Sequence, residues 1–405
     1  MDETTGAVRS MYEQYPYPSG PVVNRVGGDV ELVLSYGARR RETSGPYRVL
    51  DAGCGRGLGL LGAATLQPEV RFLGVDVSRV SLEDARRQAD QRGLKNVAFA
   101  EVDLMTLDGL LVPPGGFDVI HSSGVLHHLA DPLAALAGLR GVLAPHGVIN
   151  LMVYGRCGRE ALQDLAGAVA LLFPSDVGLK DRLPAAREAA ALARGHALAG
   201  TRFEDTAGVD EVEFVDRMLN VNETSYDVPA LFDLLEAAGL TFLRWLEPAD
   251  WDPRRLVPEG ELRRRLLDLD PRQRFTVLER IFRPAGLELI VAHAGNEPRP
   301  PLTAADLPRA RFRLHPETVI NKGVRHTPAD IRTETLSFTV RTRKPVALGA
   351  GPVAQAVLVL AEKPGTRTGA AMLAELKQAG LSAADAQAVM LELERHEIIF
   401  QVRPS

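Results

Sequence analysis

Cysteine is nearly absent from this chain: Cys54 and Cys157 are the two among 405 residues. They lie far apart, form no CxxC pair and have no histidine neighbours, which excludes a disulfide framework, argues against a structural zinc site and leaves no metal expected. A reducing cytoplasm is the expected location. No apolar run approaches the roughly 20 residues of a membrane-spanning helix. The N-terminus opens on Asp2 and Glu3, without the basic and then apolar layout of a secretory signal. Strong charge bias is missing too, since a net charge of −5 provides no global attraction to nucleic acid or to an anionic membrane. Neither is an expected partner.

What is present is an alternation of two patterns. Short apolar runs rich in β-branched and aromatic residues, at Arg48–Asp51, Arg71–Val75, Val97–Glu101, Phe117–His121 and Gly147–Val153, read as buried parallel strands. Helical stretches fill the gaps: Gly57–Leu66, then Ser81–Arg92 with a Ser81…Asp84 cap and Gly93 as its stop, then a helix opened by Asp131-Pro132. Such βαβ spacing predicts a doubly wound α/β fold. Two further strands, Thr241–Leu246 and Leu287–Ala294, complete a mostly parallel sheet of seven. The expected division is an N-terminal lid and helix over 1–45, a ligand-binding core over 46–154, a helical insertion capping the acceptor over 155–226, completion of the sheet over 227–295, and a linker with an accessory domain over 296–405. In that last part a strand at Thr335–Val340, helices at Val353–Glu362, Gly369–Gln378 and Ala383–Glu394, and a strand at Ile398–Val402 suggest a small winged-helix-like domain.

The chemistry begins where the first strand stops. Asp51 is followed at once by Gly53-Cys54-Gly55-Arg56-Gly57, a loop in which glycines let the backbone bend sharply and approach a ligand closely. In open α/β sheets ligands bind at this edge. A carboxylate beside the loop repels a pyrophosphate and attracts a ligand carrying ammonium and sulfonium charges. A second glycine run, Gly57-Leu58-Gly59-Leu60-Leu61-Gly62, matches the dinucleotide pattern formally, but it starts six residues past Asp51, inside the following helix. The second strand ends at Asp76-Val77, placed to accept ribose hydroxyls, and the third at Asp103-Leu104, placed to meet an adenine amino group. The fourth continues as Phe117-Asp118-Val119-Ile120-His121-Ser122-Ser123-Gly124-Val125-Leu126-His127-His128.

From Arg48 to Val153 the chain resembles class I S-adenosylmethionine (SAM)-dependent methyltransferases of the broad type 11/12 group. LDAGCGRG is similar to their first motif, GVDVS to the second, AEVDL to the third and FDVIHSSGVLHHLADP to the fourth. The resemblance implies a Rossmann-like methyltransferase fold with SAM as cofactor. It places Asp51, Gly53, Cys54 and Gly55 at the aminoacyl end, Asp76 and Val77 at the ribose, Asp103 and Leu104 at adenine, and Ser122 beside the methionine portion. His128 stands where the group carries a histidine near the cofactor, and His127 faces the acceptor. The opening YEQYPYPSG, the stretch Tyr226–Pro253 and the C-terminal region resemble a bacterial subset with a methyltransferase regulatory domain, some members of which act on proteins. The chain departs from that subset at Leu219-Asn220-Val221-Asn222, where a Leu-His-Pro type sequence is expected, so the resemblance assigns that loop no role.

If the acceptor is a hydroxyl or an ammonium, its proton must go somewhere, and His127 or His128 is a natural base near neutral pH. Tyr12, Tyr15 and Tyr17, held by Pro16 and Pro18 in an extended arm, suggest a lid whose hydroxyls reach the cofactor (Tyr12, Tyr17) or the reacting centre (Tyr15). The expected function is methyl transfer from SAM to oxygen or nitrogen of a small metabolite, peptide or protein. The alternatives are an NAD-dependent oxidoreductase and a non-catalytic SAM-binding regulator.

Overall fold

The computed structural model describes residues 2–22, 29–42, 44–173, 176–327, 330–340, 346–350, 357–358, 360, 362–363 and 365–402. They fall into two units, Met1–Gly28 with Gly45–Glu297, and Asp29–Ser44 with Pro298–Ser405.

The first unit opens on helix α1 (Glu3–Gln14), capped by Asp2, whose side chain accepts the Thr5 N–H. The apolar runs form the strands β1 (Arg48–Ala52), β2 (Arg71–Asp76), β3 (Val97–Glu101), β4 (Phe117–Ser123), β5 (Leu143–Tyr154), β6 (Leu240–Trp245) and β7 (Gly286–His293). They make one sheet in the order β3-β2-β1-β4-β5-β7-β6, parallel except for β7, which runs antiparallel to both neighbours. The chain winds outward from β1 to β3 and returns to β4 beside β1, so the order reverses at β1/β4 and a crevice opens at the strand tips there. Leu50, Ile120, Ile149, Leu151 and Leu289 are fully buried, as strands covered on both faces require. Strand β5 starts at Leu143 instead of Gly147, and a register irregularity opposite Phe117–Val119 absorbs the turn residues between.

Helices α3 (Leu58–Leu66), α4 (Arg79–Gln91) and α5 (Pro132–Gly141) cover the sheet's first half. Asp131 caps α5 as expected, accepting the Ala134 N–H. In α4 the cap is Ser78 and not Ser81: the Ser78 hydroxyl accepts the Ser81 N–H, and the Asp84 carboxylate binds Arg56 Nε at 2.7 Å instead of closing a capping box. The insertion supplies α6 (Arg156–Ala170), α7 (Leu179–Ala193) and α8 (Glu211–Met218), which bury Phe214, Leu162 and Ala190 around Met11 and Tyr15 of the N-terminal segment. Helices α9 (Val228–Ala237), α10 (Pro253–Leu256), α11 (Glu261–Asp268) and α12 (Pro271–Phe282) complete this unit. Among the described residues no helix is long and apolar enough to cross a membrane.

The second unit contains a helix drawn from the N-terminal part of the chain, Val30–Leu34. A lid and helix were expected over 1–45; this helix is short, buries four of its five residues, is capped by Asp29 and contains Glu31, both acids being paired with Arg313. The rest of the unit has β8 (Arg311–Leu314) between β12 (Arg367–Thr368) and β13 (Ile399–Val402), with helices Gly369–Gln378 and Ala383–Arg395 over a core of Phe312, Leu376 and Met390. A further antiparallel sheet of β9 (Thr318–Thr327), β10 (Asp330–Val340) and β11 (Val346–Ala350) was recognised only at 335–340, because Lys322, Arg325 and His326 obscure the alternation of β9. The helix expected at Val353–Glu362 falls largely outside the described residues.

Candidate active site

Past Asp51 the backbone turns through Gly53, Gly55 and Gly57, with φ of 86°, 52° and 68°, a region glycine enters without penalty. Two bonds draw the loop against β2: Gly53 N–H and Cys54 N–H both donate to the Val75 carbonyl, at 2.8 and 2.9 Å. A side chain would not fit. A Cβ on Gly53 would stand 2.4 Å from Val125 Cγ2, and one on Gly55 2.4 Å from the Tyr17 carbonyl oxygen. The bend is thus walled by the β4 loop on one side and the N-terminal segment on the other. Asp76 fastens its own strand tip to the bend, accepting Gly55 N–H and Ser78 N–H at 2.8 Å each.

Above this bend lies a cavity of about 530 Å³, within the size range of small-molecule sites. Asp51, Gly53, Cys54, Gly55, Asp76, Val77 and Leu104 line it, with Tyr12 and Tyr17 from the N-terminal segment and His128 from the β4 loop. Asp51 is 8% exposed, and burial, reinforced by the neighbouring Asp76 charge, pushes its carboxyl up to about 7. Burial raises Asp76 as well. Two buried acids at one strand edge are stabilised by a cation and destabilised by an anion.

Of the residues expected at the site, Ser122, Tyr15 and His127 stand elsewhere and Asp103 lies just behind the lining. Ser122 is fully buried and turned into the interior, while His121 and Ser123 line the cavity, because alternate residues of a strand face opposite ways. Tyr15 ends α1 and folds back, its N–H donating to the Met11 carbonyl at 2.9 Å, so its ring packs in the helical core and not in an extended arm. Tyr12 sits on α1 itself. Asp103 lies just beneath the lining, its Oδ1 accepting Met105 N–H at 2.9 Å and its buried Oδ2 without a partner, while Val102 and Leu104 beside it reach the cavity. His127 is fully buried against Tyr154, ring centroids 3.7 Å apart and 25° from parallel. His127 and His128 are consecutive in a 3₁₀ turn, Leu126–His128, where neighbouring side chains point about 120° apart. One of the two can face the cavity, and it is His128.

The histidines also differ in where the neutral ring keeps its proton. His127 Nδ1 accepts the Tyr154 N–H at 3.3 Å, which puts the proton on Nε2. Burial, then His128 and Arg159, holds its imidazolium well below the usual range. His128 Nδ1 stands 2.8 Å from the Asn222 carbonyl oxygen, which can only accept, so Nδ1 carries the proton and Nε2 keeps a lone pair. That Nε2 is buried and unpartnered.

Apart from Tyr12, the far side of the cavity and the groups behind it are residues not anticipated from the sequence. Tyr12 and Tyr154 both donate to the buried Asp216 carboxylate, at 2.8 and 3.2 Å, and Asn220 Nδ2 donates to the Tyr12 oxygen at 3.3 Å. Arg159, 4% exposed, holds Glu223 through Nε (3.2 Å) and NH2 (2.9 Å) and lies over the Tyr154 ring, 3.6 Å from its centroid. Arg202, Phe203, Glu213 and Arg217 complete that wall. Tyr154, at the tip of the fifth strand, followed the same strand-end logic as Asp51 and could have been found. Asp216 and Asn222 carry no such signal. Of the formal dinucleotide glycines, Gly57 closes the bend as the cap of α3, while Gly59 and Gly62 lie inside that helix, Gly59 at the cavity lining.

Residues 44–170 match the family model described as a methyltransferase domain. An uncharacterized protein of Synechococcus sp. is 30% identical over 290 residues, covering 69% of each chain. Trans-aconitate 2-methyltransferase of Methylobacterium radiotolerans is 30% identical over 209 residues, which is 50% of this chain and 72% of that one. Among solved structures, PKMT2 from Rickettsia typhi, also solved in complex with AdoHcy, shares the fold with a TM-score of 0.68 at 16% identity, over 96% of this chain and 78% of that one.

Proposed function

Because the chain belongs to the class I SAM-dependent methyltransferases, we propose that its cavity holds the cofactor along the strand tips and that His128 accepts a proton from the methyl acceptor. The observation that carries this is the pairing of a buried acid, Asp51, with a glycine bend that no side chain could enter. The residues fit the cofactor's charges: Asp51 would face its cationic end beside Gly53, Cys54 and Gly55, and Asp76 with Val77 would meet the ribose. The orphaned Asp103 Oδ2 can accept the adenine amino hydrogen beside Leu104. Tyr12 and Tyr17 close over them. When bound, SAM supplies a methyl group activated by its sulfonium, ready for in-line displacement.

The chain's own part is to orient, exclude water and move a proton. His128 lines the cavity and its buried Nε2 has no partner, so this ring would take the proton of a hydroxyl or amine presented to it. An anionic carboxylate would meet that lone pair with repulsion. The segment 155–226 serves as the acceptor cap, contributing Arg159, Arg202, Phe203, Glu213 and Arg217. The acceptor is a small metabolite or a peptide or protein, and the unpaired thiols of Cys54 and Cys157 suit a cytoplasmic enzyme. To test this, labelled-methyl SAM is incubated with cell extract and the product separated by size and by bond stability. Label is expected on oxygen or nitrogen, and His128→Gln should lower turnover by roughly 10²–10⁴-fold while leaving cofactor binding intact. Unchanged turnover in that variant would remove His128 from the base role.

A further inference from the structure

We propose that Asn222 is a positioning residue that sets the tautomer of His128, and through it the kind of atom this enzyme can methylate. Residues 219–224 had no role assigned from sequence, yet they hold the β4 loop at four points. Asn222 Nδ2 donates to two carbonyl oxygens, those of His128 at 3.0 Å and Leu129 at 3.1 Å. The Asn222 carbonyl oxygen receives His128 Nδ1 at 2.8 Å. Thr224 N–H donates to the His127 carbonyl at 2.7 Å. The amide side chain therefore pins the backbone immediately after the ring, and this pin brings the main-chain carbonyl of Asn222 against Nδ1.

The consequence is chemical. With the proton held at Nδ1, the neutral ring can only accept at Nε2. The acceptor it serves must bring a proton on its oxygen or nitrogen. The neighbouring His127 has the opposite arrangement, its Nδ1 satisfied by the Tyr154 N–H, so the two adjacent imidazoles are fixed in opposite tautomers by opposite kinds of backbone group.

The same loop reaches the N-terminal segment. Asn222 N–H donates to Asn220 Oδ1 at 3.2 Å, and Asn220 Nδ2 donates to Tyr12 at 3.3 Å, which itself donates to Asp216 at 2.8 Å. A seated Tyr12 is thereby tied through two asparagines to the ring of the base. This inference rests on the proposed role of His128, but its test does not use turnover.

Long-range proton–nitrogen correlation spectra of the full chain with ¹⁵N-labelled imidazoles, saturated with S-adenosylhomocysteine at about pH 8.5, where an ordinary imidazole is neutral, read each tautomer directly. His128→Gln and His127→Gln assign the signals. The expected wild-type pattern is a protonated Nδ1 in His128 and a protonated Nε2 in His127. In Asn222→Ala the His128 tautomer ratio should shift toward Nε2–H by roughly five- to tenfold, the worth of one ordinary hydrogen bond, while His127 keeps its pattern. If that variant does not fold, Asn222→Ser, whose hydroxyl is too short to bridge both carbonyls, carries the same expectation. A wild-type His128 protonated at Nε2, or a ratio unmoved in the folded variant, overturns the proposal. Failure of the protein to bind S-adenosylhomocysteine would instead remove the cofactor reading and leave the tautomer result to stand separately.

Discussion

The two walls of the cavity are built by different rules. On the cofactor wall, Asp51, Gly53, Gly55, Asp76 and Leu104 come from successive strand tips, each within a few residues of an apolar run. On the opposite wall, Tyr12, His128, Tyr154 and Arg159 line the cavity, with Asp216 and Asn222 behind them; these six come from a terminal helix, a turn, a strand end, two helices of an insertion and a loop, joined only by folding. The first wall needs backbone shape and negative charge, both of which leave local traces in sequence. The second needs mutual satisfaction of buried polar groups, which leaves no local trace at Asp216 or Asn222. One wall is thus anchored in the sheet and the other in a buried polar network that the insertion completes.

Breaking each wall should show this difference. The largest effect is expected on the acceptor side: Arg159→Ala leaves Glu223 uncompensated beneath Tyr154 and should cost about 3–5 kcal/mol, read as a lowered denaturation midpoint. Gly55→Ala must place a Cβ against the Tyr17 carbonyl at positive φ, and should cost about 2–4 kcal/mol together with a loss of cofactor binding, measured by denaturant titration and calorimetry. Tyr12→Phe removes one donor from the buried Asp216 and should cost about 1.5–3 kcal/mol, less in the presence of cofactor if the segment is a lid. At the bottom, Arg265→Ala should shift stability by no more than about 0.5 kcal/mol, because its Glu261 pair lies on an exposed helix face. A loss for Arg265→Ala comparable with that for Arg159→Ala would erase the distinction between buried network and solvated surface.

The same contrast explains how much could be read beforehand. The seven strands, the cap at Asp131 and the glycine bend were legible because each depends on neighbours in sequence. Ser122 was misplaced by one step of a two-residue period, a short-range error that the alternation of β4 corrects. Tyr15 was misplaced because the prolines after it suggested an extended segment where α1 in fact continues to Gln14. Both His127 and His128 were expected at the cavity, since both follow the same strand; only His128 lines it, and its ring is held by the carbonyl of Asn222, some ninety residues away. The departure of residues 219–222 from the resembling subset was visible; its meaning required the fold.

The account turns on Asp51, and calorimetric titration with SAM between pH 5.5 and 8 addresses it directly. The carboxyl is pushed up to about 7 by burial and by Asp76, and a cationic ligand binds its ionised form, so affinity is present above that value and lost as the pH falls through it. The wild-type chain should bind about tenfold more weakly for each pH unit below roughly 7, as one proton must be released on binding. Asp51→Asn should bind weakly and with a flat profile. Equal affinity and equal slope in the two proteins would contradict the claim that this carboxylate selects the cofactor.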